Sequence, residues 1–309
     1  MTENSVRSDA QANQEKYVSE ELVKLAVEAK GGKWAARARA MDLQREYMSL
    51  DRANKVAFFG ALERAIAPSR EQEDNKAASA AGSLNLLEFL NNGPAGIRFI
   101  VQLRADAMAD KGTQRFPILH RELLSIVESI FDFGFLTFKP LTWEMSAAIL
   151  EKLFGYEAVH QIQSWEDLKS RLTPPRQCFG LFHPAMGDDP LIFVEIAFTK
   201  GIARRIGQLV GTDADVLDPG EADTAMFYSI SNTHKGLIGV KFGDYLLKCA
   251  FPELSAKYPN LRQFVTLSPI PGFRALVVEG ASGGFICERR HSQASGDCEG
   301  SGSISPGVV

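Results

Sequence analysis

The stretch Ala222–Phe273, ADTAMFYSISNTHKGLIGVKFGDYLLKCAFPELSAKYPNLRQFVTLSPIPGF, carries five pieces of structure in succession. Thr224–Ser231 predicts a strand, and Thr233–Gly243 a turn punctuated by Gly236, Gly239 and Gly243. Asp244–Ala256 predicts an amphipathic helix kinked at Pro252. Gln263–Leu267 predicts a second strand, followed by a stiff loop that opens with Ser268. A glycine-rich turn feeding a helix lets backbone N–H groups approach an anion closely, and the positive end of the helix favours negative charge there. The turn therefore reads as a phosphate cradle. Pro269 biases Ser268 toward extended backbone, and Pro271 stiffens the loop beyond it.

Upstream, residues 1–16 read as a polar disordered arm, and helical patterns follow from about Ser19 to Ala67. Pro68 ends the last of them. Ser69–Ser83 is polar and alanine-rich, either an exposed helix or a connection. Leu84–Leu90 and Ala95–Ala109 are helical on either side of a break at Gly93-Pro94. Ile118–Phe131 carries Leu119, Leu123, Ile126 and Ile130 on one side. The pattern changes at Phe133–Lys139, a short extended run before Pro140, which places a domain boundary there. Two helices (Ser146–Phe154 and Ser164–Leu172) and strands at Gln177–Phe182 and Leu191–Phe198 follow. The expected organisation is α+β: an all-helical part over 17–136, then a mixed α/β domain over 137–276.

The chain has 309 residues, 45% hydrophobic and 23% charged, enough for two cores. A net charge of −4 argues against a general nucleic-acid binder. Cys178, Cys249, Cys287 and Cys298 show no CxxC spacing, which suits a reducing compartment and gives no recognisable zinc or other metal site. No apolar run reaches the length of a membrane span. The N-terminus has neither the apolar segment of a secretory signal nor the Arg-rich character of a transit peptide, so a cytoplasmic location is expected.

The runs FYSISNTHKGLIGVKFG and TLSPIPGF, with HPAMGDDPLIFVEIAFTKGI and LTWEMSAAILEKLFGYEAVHQIQSWEDLKSRL upstream, resemble the malonyl-CoA decarboxylase family of the bacterial type. The resemblance extends loosely through MSLDRANKVAFFGALERAIAP and covers about Gln44 to Phe273. It implies a GNAT-like acyl-CoA-binding fold behind a helical oligomerisation domain. In that fold the pyrophosphate lies on the turn after the fourth strand, and pantetheine slips between strands four and five. Substrate contacts then fall on Ile238, Gly239, Val240, Lys241, Phe242, Gly243 and Asp244, and the catalytic serine on Ser268. Lys241 stands where relatives have Glu, Asn or Ser, and His234 where Gln is usual. The implied reaction converts malonyl-CoA to acetyl-CoA and carbon dioxide, in malonate or fatty-acid metabolism.

Loss of carbon dioxide leaves a thioester enolate, which must be stabilised and protonated. The thioester is the electron sink, so no cofactor is expected. The family's proton donor is a histidine in an Asn-Pro-x-x-x-Phe-His segment, which is not found here. After Phe273 comes a Ser/Gly-rich tail, residues 277–309, which holds His291 outside any such motif and reads as a truncated or frame-shifted end that leaves the second domain incomplete. Three readings stay open: a decarboxylase, an inactive remnant that binds acyl-CoA or only self-associates, and an acyltransferase. His234 borders the cradle as a possible contact to the CoA phosphates. His183, in Phe-His-Pro, reads as a turn histidine, and His120 and His160 as surface or helix-end residues. Glu195, inside LIFVEIAF, reads as a solvent-facing strand position rather than a paired buried carboxylate.

Overall fold

The structure is a computed structural model that describes residues 13, 16–25, 33–67, 86–91, 93, 95–109, 112–211, 214 and 216–268. Met1–Ser268 make one compact unit. The expected tail 277–309, His291, the connection Ser69–Ser83 and the loop after Ser268 lie outside the described residues. So does the arm 1–16, apart from residues 13 and 16, which are helical.

Helices come first: α1 (residues 16–25), α2 (Lys33–Ser49), α3 (Arg52–Ile66), α4 (residues 86–90), α5 (Gly96–Ala109), α6 (Gly112–Arg115) and α7 (Pro117–Ile130). Their ends are set locally. Asp51 precedes α3 and its carboxylate accepts from the Asn54 N–H, one of the donors a helix start leaves unpaired. Pro117 opens α7, where its missing N–H costs nothing. The next two amides, of Ile118 and Leu119, donate to the Glu63 carboxylate of α3 at 3.1 and 2.5 Å, so one acid both caps α7 and ties it to α3. Leu119, Leu123 and Ile126 are buried along one side of α7, as their spacing predicts.

A five-stranded sheet follows: β1 (Thr137–Leu141), β2 (Gln177–Phe182), β3 (Pro190–Thr199), β4 (Thr224–Asn232) and β5 (Gln263–Thr266), in that spatial order. The first four strands are antiparallel neighbours, and β5 runs parallel to β4. A parallel neighbour needs a crossover, supplied by α10 (Phe242–Lys257), which continues through Pro252. Two further helices, α8 (Ala147–Tyr156) and α9 (Trp165–Leu172), join β1 to β2, and Ser164 caps α9. β3 is buried along its whole length because apolar clusters cover both faces of the sheet.

The run Phe133–Lys139 is not one extended segment. Phe133–Phe135 form a tight turn held by the Asp132 carboxylate on the Gly134 N–H, and β1 then passes through Pro140. An edge strand has one side without ladder partners and so accommodates proline. Phe58, Leu103 and Leu123 of the helices share one apolar core with Leu181, Val194, Phe227 and Leu246 around the sheet. Glu195 is also not where its alternation puts it. It is 1% exposed, beneath α9, because β3 is a central strand with both faces covered, where period-two alternation says nothing about solvent. His160 lies in the segment after α8 and packs against Tyr228 rather than standing on a helix surface.

Candidate functional site

β4 and β5 pair only over Thr224–Phe227 and Gln263–Thr266. β4 continues to Asn232 paired with β3 and, among the described residues, without a partner on its β5 side, at the end from which the glycine turn and Ser268 both emerge. The glycine turn follows β4 and Ser268 follows β5. Because the strands are parallel, both sites open on the same end of the sheet, the position at which open α/β sheets bind ligands.

The three glycines of the turn do different jobs. A Cβ on Gly236 would stand 1.9 Å from the Val101 carbonyl oxygen of α5, so this glycine serves close backbone packing of the turn on the helix. Gly239 has φ +94°, a conformation the turn requires and side chains disfavour. Gly243 meets neither condition: a Cβ there would be 3.8 Å from its nearest neighbours.

Amide directions show what the turn can hold. The N–H groups of Leu237, Ile238, Val240 and Phe242 bond to His234, Lys235, Leu237 and Val240 carbonyls inside the turn. Those of Gly239 and Lys241 have no acceptor among the described residues. No side chain caps α10, so Gly243 and Asp244 also lack intrahelical acceptors. Four free donors at 239, 241, 243 and 244 around a helix start can form a cradle for an anion. Lys235 and Lys241 are exposed beside it, and the first-turn Asp244 is paired with Lys248 at 2.6 Å.

The cradle is held from beneath by a residue the sequence reading passed over. Arg104 of α5 is 1% exposed, and its guanidinium donates to the Gly236 and Ile238 carbonyls at 2.5 and 2.7 Å. Those bonds turn the two carbonyls inward, away from an incoming anion, and place a buried positive charge behind the amides. A hint existed in GIRFIVQLRADAMA, where Arg104 falls among the buried positions Ile100, Leu103 and Ala107. The cradle rests on α5, and no pattern within 222–273 contains that fact.

His234, just before the turn, is half-buried with its ring 5.6 Å from Tyr156. Burial holds its pKa below the ordinary value, partly countered by Asp189, which favours neutral imidazole at pH 7, and its Nε2 is buried without a partner. Asp189 itself bridges Arg98 of α5 at 2.7 Å and Lys152 of α8. His183 is the turn histidine its Phe-His-Pro context predicts: Nδ1 accepts from the Ala185 N–H at 3.2 Å and the ring packs on Phe131. Ser268 is exposed at the end of β5. Of the predicted contacts, Ile238, Gly239, Lys241 and Asp244 are exposed, Val240 and Gly243 half-buried, and Phe242 is a core residue.

Fold and site together define an α+β protein with a glycine turn at a helix start and a serine at the same end of two parallel strands. Comparisons with known proteins concern the family and the fold. The model of the "Malonyl-CoA decarboxylase C-terminal domain" matches residues 134–289, sixteen residues past the Phe273 at which the resemblance was expected to stop. A crystal structure of malonyl-CoA decarboxylase from Rhodopseudomonas palustris is 34% identical, with TM-score 0.73, covering 87% of this chain and 71% of its own. Its counterpart from Agrobacterium vitis is 31% identical, with TM-score 0.76, covering 88% and 70%. The mitochondrial malonyl-CoA decarboxylase of Rattus norvegicus is 35% identical over 195 residues, 61% of this chain and 40% of its own length. The chain thus spans about two fifths of the curated relatives it matches. It belongs to the malonyl-CoA decarboxylase family.

Proposed function

We propose that this chain binds malonyl-CoA and takes part in its decarboxylation to acetyl-CoA and carbon dioxide. In this reading the pyrophosphate lies on the cradle 238–244, pantetheine follows β4 where β5 leaves it, and the malonyl end reaches Ser268. The observation that carries it is the offset between the two strand ends. Among the described residues β4 runs five residues beyond Phe227, the last partner of β5, which is roughly 16 Å of strand and of the order of an extended pantetheine arm. As the C–C bond breaks and carbon dioxide leaves, its electron pair moves into the thioester as an enolate. A proton from solvent then adds to the α-carbon. Ser268 is placed to hydrogen-bond the departing carboxylate, which aligns that bond for cleavage.

The test is release of labelled carbon dioxide from malonyl-CoA by the wild-type chain and by Ser268→Ala, beside calorimetry with both thioesters. Release that needs Ser268 is the expected result. Gly239→Val forces a branched side chain into φ +94° and is expected to weaken malonyl-CoA binding at least tenfold. Unchanged affinity would remove the cradle from this reading. A second reading, a thioester-binding protein without turnover, is favoured by one observation: His183 and His234 are both committed to packing, and each has its pKa lowered by burial. Binding without release would establish it.

Self-association is assigned to the helical part. Trp34, Met41 and Met48 recur every seven residues on α2 and are 83%, 39% and 58% exposed, with Val23 of α1 at 62%. Apolar residues at this spacing form one stripe on a helix, the seam through which helices pair. Sedimentation at micromolar concentration should show an oligomer that Trp34→Glu with Met48→Glu reduces to monomer. A wild-type monomer would end the assignment. Among the described residues no helix is long and apolar enough to cross a membrane.

A further inference from the structure

On the face of the sheet away from α10 lies a closed cluster of polar groups that the cradle does not use. Arg171 of α9 is 1% exposed and sends Nε and Nη2 to the two oxygens of Asp167, each at 2.9 Å. Its Nη1 is divided between the His160 carbonyl at 2.8 Å and Glu195 Oε2 at 3.1 Å. The Arg176 guanidinium is spent on the Leu209, Gly211 and Ser170 carbonyls. Glu157 accepts from the Val159 and His160 amides and from the Ser229 and Ser231 hydroxyls. Glu195 faces Cys178 across β2 and Ser229 across β4. The Tyr228 hydroxyl and His160 Nε2 are buried without a hydrogen-bond partner.

Two guanidinium groups therefore face three carboxyl groups. Asp167 holds Arg171 in a fork, the strongest geometry available to that pair, and Glu157 has four donors. Glu195 has one N–H, from Arg171 Nη1, with the Tyr228 hydroxyl beside it. It is the carboxyl worst served as an anion, and protonating it leaves the cluster neutral. Burial pushes it up to about 8, with Arg171 and the Tyr228 hydroxyl pulling down and Glu157 pushing further up. The same burial, with Glu195 and Glu157, raises the Cys178 thiol, and burial with Glu195 raises the Tyr228 phenol, so neither adds a further negative charge.

The position matters as much as the proton. Glu195 pairs with Ser229 but Ile196 pairs with Phe227, so Tyr228 is an extra residue that bulges β4 in the row where β5 stops pairing. Val265 and Leu267, the latter next to Ser268, pack against the apolar cluster that contains Tyr228. We propose that Glu195 is kept as a neutral carboxylic acid behind the opening between β4 and β5. There it acts, through Tyr228, as a positioning residue that keeps the opening receptive to an acyl group bearing its own carboxylate. Ionised, it would add a buried negative charge behind the place where that carboxylate is held. This rests on the malonyl-CoA reading above.

Two measurements on the full chain test it, each with wild type and Glu195→Gln. In the first, urea unfolding is followed from pH 5.5 to 9. An unfolded glutamic acid ionises near 4.5 and this one near 8, so between those values the native state holds one more proton than the unfolded chain. Its stabilisation is complete below the lower value and is lost as pH rises through the upper one. The wild-type folding constant should fall, relative to the variant, about tenfold per pH unit until near pH 8 and then level. Parallel curves would overturn the proposal. So would a variant that fails to fold, because glutamine reproduces the neutral acid and not the carboxylate.

In the second, malonyl-CoA and acetyl-CoA affinities are compared by calorimetry at pH 6.5 and 9. The CoA phosphates titrate identically in both ligands, so the ratio isolates the malonyl carboxylate. The ratio should fall about tenfold in wild type, the order expected for like charges in a partly desolvated site, and stay constant in Glu195→Gln. A purely structural Glu195 would move both thioesters together, and a constant wild-type ratio would overturn the positioning role. If neither thioester binds at pH 6.5, the malonyl-CoA reading and the positioning role fail together. The unfolding curves still decide whether Glu195 holds its proton.

Discussion

Gly236→Ala is expected to lower stability by about 3 kcal/mol or more, a shift of roughly 10 °C in melting temperature for a unit of this size. The cause is one methyl group with nowhere to go. Its carbon would stand 1.9 Å from the Val101 carbonyl oxygen and 2.8 Å from the carbonyl carbon, and both belong to helix backbone that no rotamer change can move. Relief requires the turn to back away from α5, which also lengthens the two hydrogen bonds from Arg104. Gly243→Ala is the control, because its added carbon meets only Ile192 and Ile230 at ordinary contact distance. Chemical unfolding of the two variants checks the difference. Equal stabilities would mean that the turn does not rest on α5.

Arg104→Met is expected to cost about 4 kcal/mol and to weaken CoA-thioester binding at least tenfold. Each charge-assisted hydrogen bond to the Gly236 and Ile238 carbonyls is worth roughly 1.5–3 kcal/mol, and the carbonyls are left without their donor. Methionine fills much of the volume, so the loss is polar rather than a cavity. Binding suffers for a second reason, since the guanidinium is the positive charge behind the cradle and its removal frees carbonyls to turn toward the anion. Arg104→Lys keeps the charge but cannot span both carbonyls with a planar fork, and should fall between. Lys235→Ala, at an exposed position on the same turn, should change stability by no more than about 0.5 kcal/mol. Denaturant curves with calorimetry on these variants separate the two effects, and thioester affinity unchanged in Arg104→Met would show that the charge plays no part.

The order of elements was legible because each one is decided locally. Gln177–Phe182 is a strand with the boundaries its sequence predicts, α9 starts after the Ser164 cap, and β4, turn, α10 and β5 follow one another as 222–273 implies. Hydrophobic period and capping chemistry act within a few residues, so sequence alone exposes them. The start of α10 at Phe242 rather than Asp244 shows the limit of that legibility. Phe242 enters the core at the first helical position, and no propensity marks that junction.

By itself the sequence determined that the chain is α+β, that a glycine turn opens a helix after one strand, and that Ser268 ends the next. Backbone geometry and short-range hydrogen bonding suffice for those conclusions. Tertiary structure alone decided that Gly236 is a packing glycine and Gly239 a turn glycine, because the Val101 carbonyl that separates them lies more than a hundred residues away in the chain. It also decided that Arg104 holds the glycine turn and that Glu195 is buried among Arg171, Glu157 and Tyr228 rather than facing water. Burial of a charge is a property of everything packed around it. Neighbours contributed by α5, α8 and α9 leave no trace in the pattern of the strand or turn they cover.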